Sequence, residues 1–137
     1  MGFLIYNTKA KRKEIFKPIL NGKVSLYTCG PTVYDFSHIG NFRTFIFEDL
    51  LKRWLLHLGY DVLHVMNITD VDDKTIKKSI DLKLSLEKVT NKYISEFMAD
   101  IEWLNLHPAD YFPKATDHVP DMILMISNLI KNKMAYT

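Results

Sequence analysis

The sequence predicts an α/β fold built on a parallel βαβ unit, the first half of a doubly wound sheet, with a helical segment after it. Three observations carry this: two short runs of strand-like composition, a long helical pattern between them, and only helix and loop patterns afterwards. The first run, Val24 to Cys29, is rich in β-branched and aromatic residues and is bounded by Gly22 and by Gly30-Pro31. From Asn41 the period becomes helical. Phe42, Ile46, Leu50 and Trp54 form one apolar stripe and Phe47, Leu51, Leu55 and Leu58 an adjacent one, together a wide arc expected to face a core. Gly59 then stands where a helix-ending glycine belongs. "DVLHVMNI", Asp61 to Ile68, supplies the second strand. A strand, a helix and a strand in so short a span are expected to pair in parallel through a right-handed crossover.

Beyond it, "TDVDDK" offers Asp72 or Asp73 as the N-cap of a short helix toward Lys78. Leu86, Val89, Tyr93, Phe97, Ile101 and Leu104 recur at three- and four-residue spacing, which predicts a longer helix over 86–104. His107 to Pro120 carries three prolines and reads as a connection, and Asp121 to Met134 as a final amphipathic helix. Trp54, Tyr93, Phe97, Met122, Met125 and Met134 fall on helices and are expected in the core. Two strands are too few for a complete doubly wound domain, and the sequence stops at "MAYT" with no polar or glycine-rich tail, as expected of a fragment.

Composition narrows the class. A chain of 137 residues, 47% hydrophobic, can bury the core of one domain. A net charge of +2 is too small to mark a nucleic-acid surface by itself. The local exception, Lys9 to Lys13 ("KAKRK"), reads as a solvated loop or strand end, or as a phosphate contact. One cysteine excludes an internal disulfide and fits a reducing compartment. The apolar start is too short for a signal peptide. The longest greasy stretch, Phe42 to Leu58, is broken by Arg43, Glu48, Asp49, Lys52 and Arg53, so no membrane span and a cytoplasmic location are expected.

The chemistry concentrates in "LYTCGPTVYDFSHIGN", Leu26 to Asn41. In open α/β sheets ligands bind beyond the carboxyl ends of the strands, and a helix N-terminus presents unpaired N–H groups to an anion. Cys29 falls at such a strand end and His38 to Asn41 at such a helix start. Gly40 would let a ligand approach the backbone, and His38 and Asn41 can donate to phosphate oxygens. The competing expectation is a histidine that only caps its helix. Neither a Gly-x-Gly-x-x-Gly nor a Walker-type motif occurs, which argues against dinucleotide and P-loop sites.

"YTCGPTVYDFSHIGN" resembles the N-terminal signature of the class I aminoacyl-tRNA synthetases specific for cysteine, with His-Ile-Gly-Asn in place of their His-Ile-Gly-His. "IYNTKAKRKEIFKPI", "NITDVDDKTIKKS" and "PKATDHV" resemble the same family in the same order, so the resemblance runs from about Tyr6 to Tyr136. It implies a Rossmann-like (HUP-type) parallel sheet, of which residues 1–84 are the first half, followed by the helical start of an inserted connective segment in residues 85–137. It also implies ATP with Mg2+ and a reaction in which the carboxylate of cysteine attacks the α-phosphorus, pyrophosphate leaves, and the cysteinyl group passes to tRNA(Cys).

Carried onto this sequence, the resemblance implies ATP contacts from Thr32, His38, Gly40 and Asn41, with His38 and Asn41 catalytic. Cysteine contacts come from Cys29, Gly30 and Thr69, and Cys29 is a Zn2+ ligand whose companions lie beyond Thr137. Zinc would select a thiolate over a hydroxyl, which an apolar pocket does poorly. With one cysteine and no histidine pair at ligand spacing, the fragment is not expected to retain zinc or to aminoacylate. His57, His64, His107 and His118 are expected to be surface or satisfied-core residues, and Asp70, Asp72 and Asp73 structural. An amide at 41 donates but cannot become cationic, and Asn41→His is expected to change the rate of the intact enzyme less than about tenfold. Two other readings are a ligase joining cysteine to an amino-sugar carrier, and a non-catalytic half-domain binding module. An open sheet edge and an uncovered apolar face would favour self-association.

Overall fold

The βαβ unit is present in the computed structural model, which describes residues 3–136. Strand β3 (Lys23–Thr28) leads into helix α1 (Ile39–His57), which returns to β4 (Asp61–Met66). The two strands pair in parallel from Lys23↔Asp61 to Thr28↔Met66. Helix α1 stops as its glycine predicts. Gly59 has φ +84°, its N–H donates to the Leu56 carbonyl, and the Tyr60 N–H reaches back to that of Leu55, which satisfies carbonyls the helix leaves unpaired.

Two further strands depart from the expectation that the chain holds only two. β1 (Leu4–Asn7) and β2 (Arg12–Ile15) form an antiparallel hairpin. "KAKRK" is its turn together with the start of β2: the Asn7 side chain accepts from the Lys9 and Ala10 N–H groups, and Lys11 takes a left-handed φ of 54°. The hairpin is anchored by Phe3 and Phe16, stacked at 5.1 Å, which pack on a small cluster of Val24, Leu55 and Val62.

Helix α2 (Asp73–Leu82) is capped by Asp72, and α3 spans Leu86–Trp103. The connection that follows docks as an irregular third edge on β4, with bridges Val65↔Tyr111 and Ile68↔Lys114. A short 3-10 turn, Ala115–His118, leads into α4 (Val119–Lys131). The main core gathers Val33, Phe42, Phe45, Met66, Ile68, Val89, Tyr93, Phe97, Ile101 and Ala109. Residues before and after Leu84 share it.

Only part of the apolar arc of α1 faces the core. Phe42, Phe45 and Leu55 are buried, yet the rest of the buried face is Glu48, Asp49 and Lys52, while Ile46, Phe47, Leu50 and Trp54 are exposed. The reason is that partners from the 105–110 connection claim the charged side. Asp49 accepts from the His107 N–H at 2.9 Å and from Arg53 Nε at 2.7 Å, and Lys52 Nζ donates to the Pro108 carbonyl at 2.8 Å. Trp54, Met122, Met125 and Met134 are likewise exposed rather than core, whereas Tyr93 and Phe97 are buried as expected. No residue of α4 is buried.

Candidate functional site

A cleft of about 330 Å³ opens where the carboxyl ends of β3 and β4 meet the start of α1. The two chain segments leave the sheet side by side, because pairing continues past the strands: the Thr69 N–H donates to the Pro31 carbonyl and the Val33 N–H to that of Thr69. Gly30 makes this closeness possible. A Cβ there would lie 1.9 Å from the Asn67 carbonyl oxygen, a separation no side chain survives. The Asn67 side chain joins the two segments, with Oδ1 accepting from the Gly30 N–H at 3.2 Å and Nδ2 donating to Thr69 Oγ1 at 3.1 Å.

His38 and Asn41 cap α1 reciprocally. His38 Nδ1 accepts from the Gly40 N–H at 3.0 Å, and Asn41 Oδ1 accepts from the His38 N–H at 3.1 Å. The cap determines what remains for a ligand. With Nδ1 accepting, a neutral imidazole carries its proton on Nε2, and Asn41 keeps its Nδ2 hydrogens, so both side chains offer donors at a helix N-terminus. Capping and anion binding are therefore compatible roles for His38. Gly40 serves the same arrangement, since a Cβ there would lie 2.9 Å from His38 Cε1.

Of the residues expected at the site, Cys29, Gly30, Thr32, His38 and Asn41 line this cleft, and Cys29 is exposed. Gly40 borders a neighbouring hollow with Arg43 and Thr44. Thr69 stands beside Thr32 in parallel register, its hydroxyl oxygen accepting from Asn67 Nδ2, and is not among the residues lining the cleft. Tyr34, Asp35, Phe36, Thr44 and Lys74 are among the other lining residues and were not expected at the site. Thr44 had a signal, lying one helical turn after Asn41, and so had Lys74, which follows the acidic cap of α2. Lys74 Nζ lies 5.1 Å from the Tyr34 ring centroid. Asp35 pairs with Lys78 at 3.1 Å, and this hydrogen bond, followed by one from the Phe36 N–H, holds its carboxyl below the ordinary value.

The aspartates after β4 are structural, as expected for Asp70 and Asp72. Asp70 is buried and accepts from the Thr116 N–H and hydroxyl, pinning the connection to the strand end. Asp72 accepts from the Thr75 N–H at 2.8 Å. Among the described residues no three His, Cys, Asp or Glu side chains come together as a metal site. Cys29 can be one ligand of a zinc ion, but these residues do not fit a complete site. His57, His107 and His118 are exposed; His64 is buried. No helix among the described residues is long and apolar enough to cross a membrane.

Comparison with known proteins places the sequence in a family. Residues 15–137 match the family of class I (C) tRNA synthetase catalytic domains. The chain is 57% identical over 99% of its length to a cysteine--tRNA ligase of Chlamydia trachomatis, 56% over 99% to that of Chlamydia muridarum, and 49% over 96% to that of Protochlamydia amoebophila. It spans 28% of the length of each of these relatives. The motif blocks, the cleft at the strand ends and these matches agree, and the chain belongs to the family of class I (C) tRNA synthetase catalytic domains.

Proposed function

We propose that this chain is the amino-terminal part of the catalytic domain of a cysteine--tRNA ligase, which activates cysteine with ATP and transfers it to tRNA(Cys). The observation that carries the reading is the meeting of Cys29, Gly30, Thr32, His38 and Asn41 around one cleft at the carboxyl ends of parallel strands. Adenylate formation asks the protein mainly to align the two reactants and to aim donors at negative charge developing on the phosphate. The free donors of His38 and Asn41 suit the phosphates of a Mg2+-bound ATP, with Thr32 beside them and Gly40 making room for the imidazole. Cys29 and Gly30 sit where the amino acid would lie, and Thr69 acts through its contact with that segment. A zinc ion held by Cys29 would draw its other ligands from outside this chain. In this reading residues 1–84 contribute the first half of the nucleotide fold and residues 85–137 begin the connective insertion, even though both share one core.

The test is a chimera in which this chain replaces the matching amino-terminal segment of the Chlamydia trachomatis relative. Cysteine-dependent exchange of pyrophosphate into ATP is expected to persist, and to fall at least about a hundredfold in His38→Ala, the scale of one positioned transition-state donor. Exchange that survives His38→Ala unchanged would remove His38 from the reaction, and an inactive chimera that is correctly folded would refute the reading.

A further inference from the structure

One wall of the cleft carries a cation with no carboxylate partner. Among the described residues Lys74 is the only lysine or arginine that lines it. It comes from a different strand end than His38 and Asn41: they open the helix after β3, whereas Lys74 is the second residue of α2, in the segment after β4. The cap in front of it holds its backbone in place. Asp72 accepts from the Thr75 N–H at 2.8 Å, its own N–H donates to Thr75 Oγ1 at 2.8 Å, and Thr75 is fully buried. An aromatic ring places its head: Nζ lies 5.1 Å from the Tyr34 centroid, and Tyr34 follows directly on Val33, whose N–H is bonded to the Thr69 carbonyl. Among the described residues no carboxylate lies within salt-bridge distance of Lys74. Nearby acids are engaged elsewhere. Asp35, the acid in the lining, pairs with Lys78 at 3.1 Å, Asp70 accepts from Thr116, and Asp72 is the cap of α2.

An ammonium resting on a ring keeps its charge. A carboxylate would neutralise it, whereas the phenol ring attracts it with no net charge of its own and leaves it able to meet an anion. The ring and the capped turn also restrain a long side chain that a ligand would otherwise have to order, which lowers the entropic cost of binding. Lysine is a compact point charge with three donors, suited to phosphate oxygens. His38 as a neutral imidazole and Asn41 as an amide supply donors without charge. We propose that Lys74, held over Tyr34, binds the triphosphate of the nucleotide in this cleft together with His38 and Asn41, and is the full positive charge that this part of the protein supplies to it. The proposal rests on the functional reading for the identity of the nucleotide; capture of a polyphosphate applies to free pyrophosphate as well.

Lys74→Ala removes the charge at an exposed helical position that alanine fits, Lys74→Arg keeps it, and Tyr34→Leu removes the ring. Lys77→Ala is the control, an equal loss of charge from the same helix at an exposed residue that does not line the cleft. The 137-residue chain is titrated with inorganic pyrophosphate while its backbone amide resonances are followed. Those of Gly40, Asn41 and Thr75 are expected to move. The dissociation constant is expected to rise about tenfold in Lys74→Ala, the lower end of what a hydrogen bond to a charged group contributes. It should rise about threefold in Tyr34→Leu, as loss of a cation–π contact implies, and stay within about twofold in Lys74→Arg and Lys77→Ala, since neither loses a charge from the cleft. In the chimera, kcat/KM for ATP is expected to fall about tenfold in Lys74→Ala, with the KM for cysteine within about twofold of the parent's. Pyrophosphate that fails to bind the parent chain, that binds Lys74→Ala as tightly, or that loses as much in Lys77→Ala would overturn the proposal. A rise in the KM for cysteine with ATP unaffected would overturn it too, assigning the lysine to the amino-acid carboxylate. A chimera inactive even with the parent sequence would count against the functional reading, and the pyrophosphate titration would still decide the role of Lys74.

Discussion

Helices α1 and α3 are of nearly equal length and both are central, yet α1 buries three charged side chains beside three apolar ones and α3 buries no charged one. In α3 the buried residues Val89, Thr90, Tyr93, Phe97 and Ile101 follow the apolar stripe, so hydrophobic period and burial coincide. In α1 Glu48, Asp49 and Lys52 are inside and Phe47 and Leu50 outside, 64% and 62% exposed. The difference shows that α3 is held by area and α1 by address. Any apolar surface can cover Phe97, whereas Asp49 needs the His107 N–H and Arg53, and Lys52 needs the Pro108 carbonyl.

Substitutions can break this contrast. Phe97→Ala should be the most damaging, at about 3–5 kcal/mol, because the ring stacks on Phe42 and meets Phe45 edge to face in the closed core and a cavity would remain. Chemical denaturation with an unchanged m-value would measure it. Next, Asp49→Ala should cost about 2–3 kcal/mol, since the His107 N–H and Arg53 would lose a charged acceptor. If Asp49→Ala is as mild as a surface change, the idea that α1 is held by specific ties is wrong.

The polar interior of α1 also has a pH signature. Glu48 is raised above its ordinary 4.5, so the folded state holds that proton more tightly than the unfolded one. Its contribution is present below pH 4.5 and is lost as pH rises through the folded value. His64 is lowered from 6.5, and its contribution is present above pH 6.5 and lost as pH falls through the folded value. Glu48→Gln removes the first effect and leaves the second. The variant should be slightly more stable than the parent at neutral pH and should weaken steadily as pH drops below 6.5, which denaturation midpoints across that range would reveal. At the small end, Phe47→Ser and Leu50→Ser should each change the stability of this chain by no more than about 0.5 kcal/mol, as exposed positions do.

The contrast also explains what could be read from the sequence. The βαβ unit, α3, the Asp72 cap and the turn that builds the cleft are written locally, in composition, period and capping residues, and they stand within a few residues of their expected limits. The burial of Asp49 and Lys52 could not be read that way, because their partners arrive from the connection after α3 and leave no periodic trace. The hairpin was hidden for another reason. Its strands are four residues each, and "RKEI" lacks the apolar alternation that marks a strand. Asn67 was equally silent: its role lies in reaching two backbone segments that only the sheet brings together.

The bare contact at Gly30 carries a mechanical consequence. With no side chain at position 30, backbone bears directly on backbone there, and the Asn67 amide ties the two strand ends together. Any shift of the polypeptide at Asn67 is handed straight to the neighbour of the thiol, so the floor of the cleft behaves as one stiff plate and adjustment to a ligand falls to the walls around it.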